Sequence, residues 1–215
     1  MISNILGVIF DLDGTLLYTL ADIATAVNGA LREMHRPERT VAEVRSMVGN
    51  GAKMLIARAL GAGQEALVDE TLHIYASLYA AHAQEHVTPY EGVPELLDAL
   101  SARGIRTACV TNKDHTDAVP MLHKFLGDKI SHVEGRKPGR PTKPAPDAVY
   151  DALKALGVDA SRALYVGDSG VDSETAKNAA LPCVLCDWGY WDREKLANCA
   201  ALGIISAPAE LLQYV

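Results

Sequence analysis

The chain has 215 residues, of which 49% are apolar and 22% charged, with a formal net charge of −7. That length holds one large domain or a core with a smaller companion, and the acid excess argues against nucleic acid as the main partner, because binding a phosphate backbone needs a basic surplus. No apolar run approaches the roughly 18–20 residues of a membrane helix, the N-terminus lacks the basic flank and apolar stretch of a signal peptide, and a cytoplasmic, soluble protein with no membrane contact is expected.

The first element is the apolar run Asn4 to Phe10, read as a strand over 5–10, which delivers Asp11-Leu12-Asp13-Gly14-Thr15-Leu16. Two acids two residues apart at the end of a buried strand are costly unless something positive binds there. Ligands of open parallel sheets collect beyond the carboxyl ends of strands, so this end reads as a cation or phosphate site.

From Thr19 to His86 no strand is evident; helical segments are expected at 20–35, 40–48, 51–60 and 64–86. Ile23, Val27, Ala30, Leu31 and Met34 recur at helical spacing. Four helices exceed what one crossover requires, so residues 17–87 are expected to form a separate all-helical lobe, with 1–16 and 88–215 forming the core.

Beyond Pro94 the pattern alternates. Helices are expected at 94–103, 114–126, 146–156, 171–180 and 207–213, and strands at 105–110, 130–134, 163–167, 182–186 and, weakly, 203–206. This is the pattern of an α/β protein with a Rossmann-like parallel sheet and helices on both faces. Of the four cysteines, Cys183 and Cys186 form a C-x-x-C spacing, but on a strand residues three apart face opposite ways. They read as ordinary core thiols rather than a metal site.

Polar residues fall at four expected strand ends or helix starts: Asp11 and Asp13; Thr111-Asn112; Lys143 in Pro141-Thr142-Lys143-Pro144; and Gly167-Asp168-Ser169-Gly170-Val171-Asp172. Each alone could be a helix cap or a surface charge, but four such ends on one parallel sheet converge on one edge. The types are complementary. Carboxylates suit a hard cation such as Mg²⁺, a hydroxyl and backbone N–H groups suit phosphate oxygens, and a lysine neutralises phosphoryl charge, which is what phosphoryl transfer requires. Lys137-Pro138 and Lys143-Pro144 compete for the lysine position. Pro144 disfavours helix at Lys143 and Pro146 can open the next helix, which favours Lys143. Arg136, Lys137 and Arg140 make the same loop locally basic and read as a solvated loop.

These four stations, in this order, resemble the motifs of the haloacid dehalogenase-like hydrolase superfamily, and the helical insertion after the first resembles that family's cap. Val48 to Ala52 and Asp168 to Ala179 look most similar to phosphoglycolate phosphatases. The resemblance implies a phosphomonoesterase acting on a small phosphorylated metabolite, 2-phosphoglycolate being the candidate, as a monomer or homodimer. It implies Asp11 as nucleophile and Asp13 as acid/base. Thr111, Asn112, Gly14 and Thr15 would lie around the phosphoryl group, with Lys143 neutralising it. Mg²⁺ would be held by Asp11, Asp13 (through its carbonyl) and Asp168, with Asp172 as a ligand or support. Asp13 favours a phosphatase over a dehalogenase, since an alkoxide leaving group benefits from a proton donor.

Tyr18 and Thr19 stand where many cap-bearing relatives have Asp-Ser, and Tyr18, Arg45, Gly49, Asn50 and Gly51 are candidate substrate contacts. A sugar phosphomutase and a non-catalytic phosphoacceptor are the alternatives. A phosphonate hydrolase would need a cap lysine, for which Lys53 is the one candidate.

Overall fold

A computed structural model of the chain describes residues 4–82 and 84–215. Residue 83, inside the expected helical segment 64–86, lies outside the described residues. The first strand, β1 (Gly7–Phe10), is buried throughout. After it the chain makes β2 (Leu17–Tyr18), four helices α1 (Leu20–Glu33), α2 (Val41–Met47), α3 (Ala52–Leu60) and α4 (Val68–His82), and then β3 (Thr88–Pro89). There follow α5 (Val93–Ala102), β4 (Arg106–Asp114), α6 (His115–Leu126), β5 (His132–Arg136), α7 (Asp147–Leu156), β6 (Ala163–Gly167), α8 (Gly170–Asn178), β7 (Cys183–Cys186), α9 (Arg193–Leu196) and β8 (Gly203–Ile205).

The main sheet has six strands in the order β5-β4-β1-β6-β7-β8, with every neighbouring pair parallel. The chain leaves β1 toward one edge and later returns to build the other half, so the strand order reverses at β1. That reversal is the place where open α/β sheets bind ligands. Phe10 pairs in register with Cys109 and Val166, so Asp11 leaves the sheet beside the ends of both flanking strands. One core layer packs Ile9, Ala108, Val110 and Tyr165 against Val149, Leu153 and Leu156 of α7 and Ala176 of α8. Cys183 lies in this layer, while Cys186 faces the other way, its Sγ 4.0 Å from Thr15 Oγ1. Both are free thiols, as the pleat requires.

Contacts divide the chain into two compact units, Met1–Leu17 with Pro89–Val215, and Tyr18–Thr88. The chain crosses between them at Leu17–Tyr18 and Thr88–Pro89, which form a two-stranded sheet. In the helical unit α1 buries Leu20, Ile23, Ala24, Val27, Ala30 and Leu31, one stripe at 3.6-residue spacing. Thr40 and Glu43 form a reciprocal capping box at the start of α2. Asp22 on α1 is buried because it serves as an acceptor for the segment after α4: its carboxylate receives Gln84 N–H at 2.9 Å and His86 N–H at 3.2 Å, with His86 Nδ1 at 2.8 Å.

Several boundaries moved. β4 runs on through Thr111, Asn112, Lys113 and Asp114. The expected last helix is a 3₁₀ segment, Pro208–Gln213, and the start of 64–86 is a 3₁₀ turn over Glu65–Leu67. No helix among the described residues is long and apolar enough to cross a membrane. Asp22→Ala strands donors that now share one buried acceptor, and should lower stability by about 1–3 kcal/mol. Urea unfolding of the variant against the wild type measures this.

Candidate active site

The turn after β1 is tight. The N–H groups of Thr15, Leu16 and Leu17 all converge on the Leu12 carbonyl, at 3.0–3.2 Å, while Gly14 N–H donates to the Leu17 carbonyl at 3.0 Å. Gly14 has φ +91°, and a Cβ there would run into the Asp168 carboxylate. Only glycine combines that backbone with that proximity. The turn thus sets Gly14 against Asp168 in the loop that follows β6, with the Asp11 carboxylate close to that of Asp168.

Lys143 lies at the centre. Its ammonium is buried, 2.8 Å from Asp11 Oδ1 and 2.8 Å from Asp172 Oδ1, and donates to Tyr165 Oη at 3.2 Å. Asp172 sits in the first turn of α8, where its Oδ2 accepts from Ser169 N–H at 3.1 Å and Ser169 Oγ–H at 2.6 Å. Asp168 Oδ2 accepts from Tyr190 N–H at 2.6 Å, and its Oδ1 lies 3.4 Å from Thr15 Oγ1. Gly189 permits that approach, since a Cβ there would meet Asp168 and the Gly14 carbonyl. Thr111 is buried at the carboxyl end of β4, its Oγ1 accepting from Lys113 N–H at 3.1 Å. Lys113 Nζ reaches Asp13 Oδ1 at 3.3 Å.

Asp11, Asp168 and Asp172 each present a carboxylate oxygen within 4.8 Å of the others. Three buried carboxylates around one ammonium leave negative charge in excess. Burial, with the Asp172 and Asp13 charges added and the Lys143 charge opposing, pushes Asp11 from the ordinary 3.8 up to about 7. Burial, with Asp172 and Asp11 adding, pushes Asp168 well above the usual carboxylate range. For Lys143 burial favours the neutral amine, but the Asp11 and Asp172 charges outweigh it and hold the ammonium well above the ordinary lysine range. A divalent cation removes this frustration, and an all-oxygen donor set suits a hard one. Asp172 is the most heavily bonded of the three, its Oδ1 accepting from the Lys143 ammonium and its Oδ2 from both the N–H and the hydroxyl of Ser169.

The competing lysine is elsewhere. Lys137 Nζ is 2.7 Å from Glu134 Oε2, and His132 Nε2 lies 2.9 Å from its Oε1. Burial would raise Glu134, but these two hydrogen bonds outweigh it and lower its pKa. Arg136 pairs with Asp114 and Arg140 with Asp151. The basic loop is therefore tied down by acids rather than simply solvated.

Tyr18, Arg45, Gly49, Asn50 and Gly51 belong to the helical unit. Arg45 is in the last turn of α2, and Gly49 and Gly51 take positive φ of 121° and 82° before α3. The Asn50 side-chain Oδ1 accepts from the Arg58 guanidinium at 2.7 Å. Lys53 is exposed and pairs with Asp69 at 2.7 Å. Asn112, expected at the phosphoryl group, directs its side-chain amide to the backbone of Lys143. Lys113, Tyr165 and Tyr190 escaped the sequence reading, and Ser169 entered it only as part of the fourth station without a role of its own. Strand alternation carried a signal for Lys113, which shares a face with Thr111 two residues before it.

A doubly wound parallel sheet with paired acids after its first strand, and a lysine and two further acids around them, defines a hydrolase core of the aspartate type. Comparison with known proteins agrees. The family model of haloacid dehalogenase-like hydrolases matches residues 8–186, and the chain belongs to that family. A phosphoglycolate phosphatase of Rhodospirillum rubrum is 39% identical over 214 residues, covering 95% of this chain and 88% of the relative. One of Pseudomonas syringae pv. tomato is 38% identical over 190 residues, covering 85% and 70%. The crystal structure of a candidate phosphoglycolate phosphatase from Lactobacillus delbrueckii subsp. bulgaricus superposes with a TM-score of 0.92 at 27% identity, covering 98% of each chain.

The sign of the Asp11 shift makes a testable statement about the metal-free protein. With its folded pKa raised, native Asp11 binds more proton than the unfolded chain between about 4 and 7, so its contribution to stability is lost as pH rises through that window. Asp11→Asn should flatten this dependence and, at pH 7.5 in chelator, stabilise the protein by on the order of 1–4 kcal/mol. Thermal unfolding at pH 5 and 7.5 checks it; Mg²⁺ should raise the wild-type Tm more than that of the variant.

Proposed function

We propose that this phosphatase hydrolyses a small organic phosphate monoester through an aspartyl-phosphate on Asp11, with 2-phosphoglycolate as the leading substrate. The carrying observation is the Lys143 ammonium 2.8 Å from Asp11 Oδ1, beside Asp168 and Asp172. It gives one carboxylate at a strand end a fixed counter-charge and leaves room in its coordination for a cation and a phosphoryl group. The names of the curated relatives support the substrate.

Asp11 attacks phosphorus, its negative charge kept available by Lys143. Asp13, two residues on and paired with Lys113, donates a proton to the leaving oxygen and later takes one from the hydrolytic water. The Thr111 hydroxyl, at the carboxyl end of β4, supplies a donor for an equatorial oxygen. Mg²⁺, held by Asp11, Asp168 and the Asp13 carbonyl with Asp172 behind, would supply charge neutralisation at the phosphoryl oxygens. Four free thiols, three of them buried, fit a reducing, cytosolic setting, and a small phosphorylated metabolite is the expected partner.

The test is hydrolysis of an aryl phosphate and of a panel of phosphorylated metabolites, with Mg²⁺ and with chelator. Activity is expected only with the metal, with 2-phosphoglycolate giving the highest kcat/KM. Asp13→Asn should lower kcat by roughly 10²–10⁴-fold, the usual worth of general acid–base catalysis, and Asp11→Asn should abolish turnover. An inactive wild type, or an active Asp11→Asn, overturns the proposal.

A further inference from the structure

Lys143 is held at its head by Asp11, Asp172 and Tyr165, but a lysine side chain has four rotatable carbons, so a fixed head needs a fixed backbone. The loop between β5 and α7 that carries it has no strand or helix of its own there. Asn112 supplies the missing constraint. Its Oδ1 accepts from Lys143 N–H at 2.9 Å, and its Nδ2 donates to the Lys143 carbonyl at 3.1 Å. One side-chain amide thus pairs with both backbone groups of a single residue, as a neighbouring strand would. Both Asn112 and Lys143 are buried, so water is a poor substitute for these bonds. Asn112 lies within β4, directly after Thr111.

We propose that Asn112 is a positioning residue for Lys143: it clamps the loop so that the ammonium, the Thr111 hydroxyl and Asp11 keep one geometry, and it does not itself hold the phosphoryl group. Oδ1 accepts from the Lys143 N–H and one Nδ2 hydrogen is donated to its carbonyl, so both ends of the amide engage the same residue. The clamp couples two stations that the sequence separates by 31 residues. The consequence for catalysis is specific. Loss of the clamp lets the lysine backbone drift, and a displacement of a neutralising charge by about 1 Å can cost 10²-fold in rate. That loss can be felt only while residue 143 carries a charge to misplace.

This inference rests on the phosphatase reading, and a double-mutant cycle separates the two. Single-turnover hydrolysis of an aryl phosphate with Mg²⁺, at enzyme concentrations high enough to follow slow rates, is measured for wild type, Asn112→Ala, Lys143→Met and the double variant. Asn112→Ala is expected to slow the wild type by about 10–100-fold, mainly in kcat, and to slow Lys143→Met by less than about 3-fold. Equal fold losses in both backgrounds would show that Asn112 acts on the substrate directly and would overturn the inference while leaving the phosphatase reading intact. An inactive wild type would instead defeat that reading. Should Asn112→Ala fail to fold, Asn112→Leu, which keeps the volume, adds no charge and removes both hydrogen bonds, goes through the same cycle with the same criterion.

Discussion

The site depends on one buried cation. Lys143 places a single ammonium between Asp11 and Asp172, with Asp168 close by, inside a region that water scarcely reaches. Taking such charges out of water costs several kcal/mol per ion, and removing one partner leaves the others uncompensated. Much of the surrounding architecture keeps that balance. The Gly14 turn brings the first strand end to Asp168, Ser169 holds the far oxygen of Asp172, Tyr190 N–H holds Asp168, and Tyr165 adds its hydroxyl to the ammonium. The balance is incomplete by design of the donor set: the acids outnumber the ammonium, and that surplus is what invites a divalent cation.

A chain with net charge −7 that binds an anion must carry its positive charge locally. The loop with Arg136, Lys137 and Arg140 looks suited to attracting an anionic substrate, yet Asp114, Glu134 and Asp151 neutralise it. Those pairs stiffen the loop from one end while Asn178 holds the Pro144 carbonyl at 2.9 Å near the other. The attraction for phosphate then falls to Lys143 and to a divalent cation of the kind that the surplus carboxylates invite.

Much of this was legible in the sequence, for a physical reason. A buried parallel strand must be apolar, so acids at its end announce a ligand, and parallel strands deliver their ends to one edge. Asp11, Asp13, Thr111, Asp168 and Asp172 were found that way. Lys143 was separated from Lys137 by the local stereochemistry of Pro144 and Pro146. The role of Asn112 was not legible, because an amide takes whichever backbone group tertiary folding brings within 3 Å, and its partner lies on another loop. Tyr165 carried no separate signal, since its ring packs in the core and only its hydroxyl reaches the site. Tyr190 acts through its backbone N–H, which leaves no trace in side-chain chemistry. The continuation of β4 through Asp114 was missed because polar residues that serve a site look like the end of a strand.

The central claim is that the Asp11 carboxylate, held against Lys143, is the group that receives the phosphoryl. Acid quenching during turnover, borohydride reduction and peptide mass mapping test it directly, since an acyl phosphate is reduced to an alcohol and marks its own position. Homoserine at position 11, absent when substrate is withheld, is the result expected. Reduction at another residue, or none in an enzyme that is turning over, would contradict it.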